Sequence, residues 1–156
     1  MSVRRALLVT GSRVLAGSEC ERMARDVVSR AVEGVDAVIV GDADGPDEWA
    51  LVYASARGVT VRVYALDGTV LDRSDVRRRW IDAPTLEAAP PSRVPLLRNA
   101  AMVADLAARA AKAGDWEVRY LALVAGWSKT HGTEHTARLA RDAGIRGTTV
   151  RFEVDR

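Results

Sequence analysis

Three times along this chain a run of apolar residues ends in a glycine-bearing polar turn, and a helical pattern follows the turn. Ala6-Leu7-Leu8-Val9 leads into Thr10-Gly11-Ser12-Arg13, and Ala37-Val38-Ile39-Val40 leads into Gly41-Asp42-Ala43-Asp44-Gly45-Pro46-Asp47. Leu121-Ala122-Leu123-Val124 leads into the segment from Gly126 to Thr133. Short, continuously apolar runs suit strands covered on both faces. In an open parallel sheet the turns after such strands gather outside the carboxyl ends, where ligands of these folds bind. Glycine lets the backbone approach a ligand closely, and helix N-termini offer unpaired N–H groups to anions.

The full order of patterns is strand, helix, strand, helix, strand, long connection, helix, strand, helix, strand. That alternation predicts an α/β fold, a Rossmann-like open parallel sheet with helices on both faces. Two segments, Val59–Val63 and Thr149–Val154, alternate apolar and polar residues. Alternation marks a strand with one wetter face, so these two are predicted at the edges. About five strands in the order 3-2-1-4-5 result, with the switch point between the first and fourth strands, flanked by the turns at Gly11 and Gly126. Ser18-x-x-Glu21 reads as a capping box for the first helix. Pro46 and Pro95 suit helix starts, and Gly34, Gly58, Gly114 and Gly144 suit helix ends. The fourth helix is expected to follow Gly132. Residues 1–156 read as one domain with an irregular insertion at about 66–94, where Asp67-Gly68 could turn a hairpin. Such a connection reads equally as a lid, a partner surface or a solvated loop.

Composition narrows the function classes. Lys and Arg number 23 and Asp and Glu 21, a net charge of +2, with one Phe, three Tyr and four Trp. Charge so balanced and aromatics so few argue against a nucleic-acid protein. The single cysteine, Cys20, excludes a disulfide framework and reads as a small core residue. No apolar stretch approaches the about 18 residues of a membrane span, and no signal sequence is recognisable. A cytoplasmic location is expected.

Gly11, Ser12 and Arg13 read as a phosphate or ribose cradle, or else as an ordinary strand-to-loop turn. Asp42, Asp44 and Asp47 could touch sugar hydroxyls; Asp47 would also be favourable in the first turn of a helix for structural reasons alone. Their charge would repel a bare phosphate, so this turn is expected to face the sugar or base. Arg98 and Asn99 fall in the first turn of the third helix, where Arg suits bidentate phosphate recognition. The segment from Gly126 to Thr133 lacks the spacing of a Walker loop. It reads as a turn delivering the Gly132 and Thr133 N–H groups to a phosphate, with Ser128 beside them and Trp127 able to stack on a base or pack at the strand end. His131 and His135 lie four apart, but His131 is expected in the loop, and no metal or cofactor site is expected. Arg77-Arg78-Arg79 reads as a solvated run.

Val9-Thr10-Gly11-Ser12-Arg13, Gly41-x-Ala43-x-Gly45-x-Asp47, Arg98-Asn99-x-x-Met102, and Trp127-Ser128 with Gly132-Thr133 together resemble the SLOG superfamily, in its YspA-like, cpYpsA-related branch. The resemblance spans roughly residues 5–152, with 66–94 poorly matched. It implies a Rossmann-like domain for nucleotides or nucleotide-derived ligands, often dimeric. Better understood relatives include the lonely-guy phosphoribohydrolases and the single-strand-DNA-loading protein DprA. The second turn departs from the family's Gly-Gly-Ala-x-Gly-Ala-Asp at Asp42 and Pro46. The phosphoribohydrolases carry an acid where this chain has Thr136, whereas Arg98 matches their arginine. Glu134, two positions away, should point elsewhere.

The expected function is binding of a nucleotide-derived small molecule, as a ligand-sensing or binding domain, without a further cofactor. The alternative is a nucleotide N-glycosidic hydrolase in which Asp47 or Glu134 replaces the acid. A DprA-like single-stranded nucleic-acid protein is a third reading, disfavoured by charge. A homodimer could form through the helix bearing Met102, Val103, Leu106 and Ala110, unless that face only covers the sheet.

Overall fold

The computed structural model describes residues 3–64, 86–88, 94–112, 114–126 and 131–154. The elements in chain order are β1 (Arg4–Gly11), α1 (Glu21–Ala31), β2 (Ala37–Gly41), α2 (Pro46–Ala56), β3 (Thr60–Tyr64), β4 (Leu86–Ala88), α3 (Pro95–Ala111), β5 (Trp116–Ala125), α4 (His131–Asp142) and β6 (Arg146–Phe152). One turn of 3-10 helix, Arg13–Leu15, follows β1. The strands form one parallel sheet in the order β4-β3-β2-β1-β5-β6. The expected strands occupy their expected order, and the switch point lies between β1 and β5. The three-residue strand β4 is an addition. It pairs Leu86 to Val61 and Ala88 to Val63, so β3 is covered where an edge was expected. Most of the 66–94 insertion, including Asp67-Gly68 and Arg77-Arg78-Arg79, lies outside the described residues.

The side-chain period of two divides the sheet's residues between two apolar layers. Leu7, Val9, Val38, Val40, Val61, Val63, Leu121 and Leu123 pack against Val28 of α1 and Trp49, Leu51 and Ala54 of α2. Ala6, Leu8, Ile39, Tyr64, Tyr120 and Ala122 pack against Met102, Val103 and Leu106 of α3 and Ala137 and Ala140 of α4. Helices therefore cover both faces. The alternation in β3 has a cause other than a wet edge. Arg62 sits 3.5 Å from Asp105 of α3, and the Tyr64 hydroxyl donates to the same carboxylate at 2.6 Å. Burial and the Asp105 charge push the Tyr64 phenol well above its ordinary value.

Met102, Val103 and Leu106 are buried against the sheet, the second of the two roles expected for that face; Ala110 is exposed. The capping box at Ser18 is displaced. Ser18 Oγ accepts from Cys20 N, and Glu21 Oε1 accepts from Gly17 N, because the helix opens two residues later than the box requires. Cys20 packs against the α1–α2 layer and its thiol donates to the Glu153 carbonyl. Gly34, Gly58, Gly114 and Gly144 each stand past a helix end with positive φ, as expected. Among the described residues, no helix is long and apolar enough to cross a membrane.

Candidate functional site

The turns after β1 and β2 are built as one unit. Gly45 has φ 86° and ψ −131°, a conformation that only glycine adopts without strain. That kink sets Pro46 as the first residue of α2 and carries its ring over Gly11, where a side chain would collide with it. The missing side chain of Gly11 therefore admits Pro46. A Cβ on Gly45 would lie 3.4 Å from the Ser12 carbonyl oxygen, so the backbones of the two turns also touch. The Ser12 N–H donates to the Leu123 carbonyl at 2.9 Å, continuing the β1–β5 ladder. That donor is spent, whereas the cradle expectation used it for phosphate. Ser12 is buried and Arg13 is exposed.

The same turn buries Asp47. The residue is 6% exposed. Its Oδ2 accepts a single long hydrogen bond, 3.3 Å, from the Ala43 N–H. Its Oδ1 is buried without a hydrogen-bond partner among the described residues. Burial pushes the carboxyl up to about 7; the nearby Asp42 adds to this, while Arg98, the Ala43 N–H and Arg13 oppose it. Desolvation wins because it acts on a carboxyl with only one hydrogen bond to offset it.

Gly41, the last residue of β2, is where the site closes. A Cβ there would lie 2.8 Å from Asp47 Oδ2 and 3.4 Å from Arg98 Cζ. The carboxyl and the guanidinium thus converge on one bare α-carbon. Arg98 Nη1 donates to Asp42 Oδ1 at 2.6 Å, with side chains only 12% and 6% exposed. Its Nε and Nη2 both donate to Asn99 Oδ1 at 3.3 Å. Asn99 Nδ2 in turn donates to the Gly132 carbonyl at 3.4 Å, which ties the first turn of α3 to that of α4. Gly132 and Thr133 stand among the first four N–H groups of α4, which have no partner within the helix. Removing one member of a buried ion pair like Asp42–Arg98 costs about 3–5 kcal/mol, because the other charge is left uncompensated.

The first turns of α2, α3 and α4 and the turns after β1 and β2 thus meet at the carboxyl edge. This brings together Gly11, Ser12, Gly41, Asp42, Asp47, Arg98, Asn99, Gly132 and Thr133. Gly126 is not part of this constellation. Its N–H donates to the Phe152 carbonyl at 2.8 Å, and a Cβ would meet the Glu153 carboxylate. Ser128 and Trp127 lie outside the described residues. α4 begins at His131, one residue before Gly132, which corrects the expectation of His131 in a loop. Thr136 is fully buried and its hydroxyl donates to the Gly132 carbonyl at 2.8 Å, within its own helix. Glu134 points away, 3.4 Å from Arg151 of β6, as its offset implied. Ala43 and the Gly45-Pro46 pair are elements of the site that residue-type reasoning passed over. The Gly-Pro dipeptide before an acidic helix start was the available signal.

No protein-family model matches this chain, and no curated protein does. Among solved structures, the X-ray structure of DNA processing protein A (DprA) from Streptococcus pneumoniae is similar, with a TM-score of 0.59 and 18% identity. The similarity covers 94% of this chain and 50% of that one. This chain therefore spans about half the length of that protein, and the likeness is one of fold: a Rossmann-like parallel sheet with helices on both faces.

Proposed function

We propose that this protein binds a nucleotide or nucleotide-derived small molecule at the carboxyl edge of its sheet, as a binding or ligand-sensing domain of the YspA-like kind. The observation that carries this reading is the convergence at Gly41. A buried carboxyl with an unpartnered oxygen and a largely buried guanidinium meet there, beside the first turns of α3 and α4. Open α/β sheets bind ligands at this edge, and a buried orphan oxygen costs free energy unless something fills its hydrogen-bonding capacity. Asp42, Asp47, Arg98, Asn99, Gly132 and Thr133 form the proposed site, with Ser12 at its margin.

Native mass spectrometry of the protein as purified, followed by thermal-shift measurements with nucleotides, ADP-ribose and dinucleotides, tests this reading. Stabilisation by a nucleotide beyond that given by inorganic phosphate supports it. No stabilisation at millimolar concentration, with folded protein, overturns it.

A second reading follows from the likeness to a DNA-processing protein: binding of single-stranded nucleic acid. Stacking platforms are its weak point, since no aromatic side chain is exposed among the described residues. An oligonucleotide in the same screen, with salt-dependent binding tighter than any mononucleotide, would favour it. A homodimer belongs to the main proposal. The exposed Val94, Leu96 and Leu97 at the start of α3 support it in place of the buried Met102 face.

A further inference from the structure

We propose that the Asp47 carboxyl, held in position by the Asp42–Arg98 pair, is the hydroxyl-recognising element of this site and takes the ribose diol of a nucleotide-type ligand. The inference rests on the reading above that a nucleotide-type ligand binds at this edge. Three observations carry it.

Three of the five guanidinium N–H groups are engaged. Each of the three Arg98 nitrogens donates within the protein, one to Asp42 and two to Asn99. A phosphate reaching Arg98 would meet the Asp42 carboxylate 2.6 Å from it, a like charge in a poorly solvated place. Arg98 is therefore a positioning residue. It fixes Asp42 and the first turn of α3, and a phosphate fits better elsewhere on the edge.

The carboxyl is prepared for a neutral partner. Asp47 Oδ1 is buried and unpartnered, while Oδ2 is held by the Ala43 N–H. Burial raises this group to about 7, so near neutral pH it can donate as well as accept. A sugar hydroxyl also donates and accepts, and it pairs with either form of the carboxyl. An ionised phosphate only accepts, and a second negative charge here would be disfavoured by Asp42.

The place of the carboxyl depends on one missing methyl group. A Cβ at Gly41 would come within 2.8 Å of Asp47 Oδ2. Only glycine leaves this carboxyl its place without displacing either it or Arg98.

The test is calorimetric titration with the ribonucleoside 5′-monophosphates, their 2′-deoxy counterparts and adenosine. The expected result is that the best ribonucleotide binds about tenfold or more tightly than its 2′-deoxy form, the worth of one well-placed hydrogen bond. Asp47→Asn should reduce that ratio. Arg98→Lys should change AMP and adenosine affinities by the same factor, as a positioning role requires. Equal binding of ribo and deoxy forms by the unaltered protein overturns this inference and leaves the nucleotide reading standing. A loss on Arg98→Lys confined to AMP makes Arg98 the phosphate anchor and also overturns it. No binding of any of these ligands also overturns this inference, and with no response to ADP-ribose or dinucleotides it removes the nucleotide reading itself. The comparison within the unaltered protein decides the matter even if a variant does not fold.

Discussion

Arg98 Nη1 lies 2.6 Å from Asp42 Oδ1, so a residue in the first turn of α3 is clamped to the turn after β2, fifty-six positions earlier in the chain. Neither side chain has much contact with water, at 12% and 6% exposure. The pair lies beside Gly41, where the Asp47 carboxyl and the Arg98 guanidinium converge. Charged pairs this buried are not strong stabilisers against an apolar replacement, but they are intolerant of losing one partner.

That intolerance gives the first prediction. Asp42→Ala and Arg98→Met should each lower the unfolding free energy by about 3 kcal/mol or more, and the double variant should cost clearly less than the two together. Urea denaturation of the four proteins measures the coupling. Additive losses would mean the two charges are solvated independently and the clamp is an incidental contact.

Asp47 makes stability depend on pH in a direction opposite to that of most carboxylates. Its folded value is raised from 3.8 to about 7, so between these limits the folded state holds a proton that the unfolded state has lost. Folding is then favoured at low pH, and this contribution falls away as pH rises from about 4 to about 7 and stays lost above that. The shift corresponds to a change on the order of 4 kcal/mol across the window. Denaturation midpoints at pH 5, 6, 7 and 8 should decline more steeply in the unaltered protein than in Asp47→Asn. Parallel curves for the two proteins would show that Asp47 titrates normally.

Two turn glycines should differ sharply in tolerance. Gly11→Ala drives a methyl group into Pro46 and should cost about 1–3 kcal/mol as an overpacked site. Gly58 has φ 71° but open space around it, so Gly58→Ala should cost only about 1 kcal/mol, the left-handed backbone penalty. Thermal unfolding of the two variants separates steric closure from backbone strain. Equal losses would mean that α2 shifts freely away from β1.

Tyr64 tests the other buried polar cluster. Its hydroxyl donates to Asp105 at 2.6 Å, while Arg109 Nε donates to the second Asp105 oxygen at 3.0 Å. Tyr64→Phe should therefore destabilise by about 1.5–3 kcal/mol, the range for a hydrogen bond to a charged group. Tyr64 is the register partner of Gly41, but its hydroxyl is spent on Asp105 of α3, so nucleotide affinity per folded molecule should stay unchanged. A binding defect without a stability defect would move Tyr64 into the site.

Much of this architecture was legible because hydrophobic periodicity reports burial directly. The runs at Leu7, Val38 and Leu121 are covered on both faces, and the exposed, alternating β6 is an edge. β4 was illegible: three residues between prolines carry no period. Val59–Val63 misled because Arg62 alternates for an internal reason, its pairing with Asp105. In the candidate site, residue types gathered most of the expected residues at one edge but did not reveal its internal chemistry. An acid in the first turn of a helix normally reads as solvated, and Asp47 is buried only because Gly45 and Pro46 fold the turn over it. The Asp42–Arg98 clamp joins residues too far apart in sequence for any local pattern to link them. Gly11 was read as a ligand approach because glycine at that turn has two uses, and the second, admitting Pro46, depends on tertiary contact.

The most direct test of the account is a backbone amide NMR titration of the isotope-labelled protein with the nucleotide that stabilises it most. The account predicts shifts concentrated at Ala43, Asp47, Arg98, Asn99, Gly132 and Thr133, saturating at one equivalent. Saturable shifts centred instead on the outer face of α1 and α2, around Met23 and Tyr53, would contradict it and place the ligand away from the carboxyl edge.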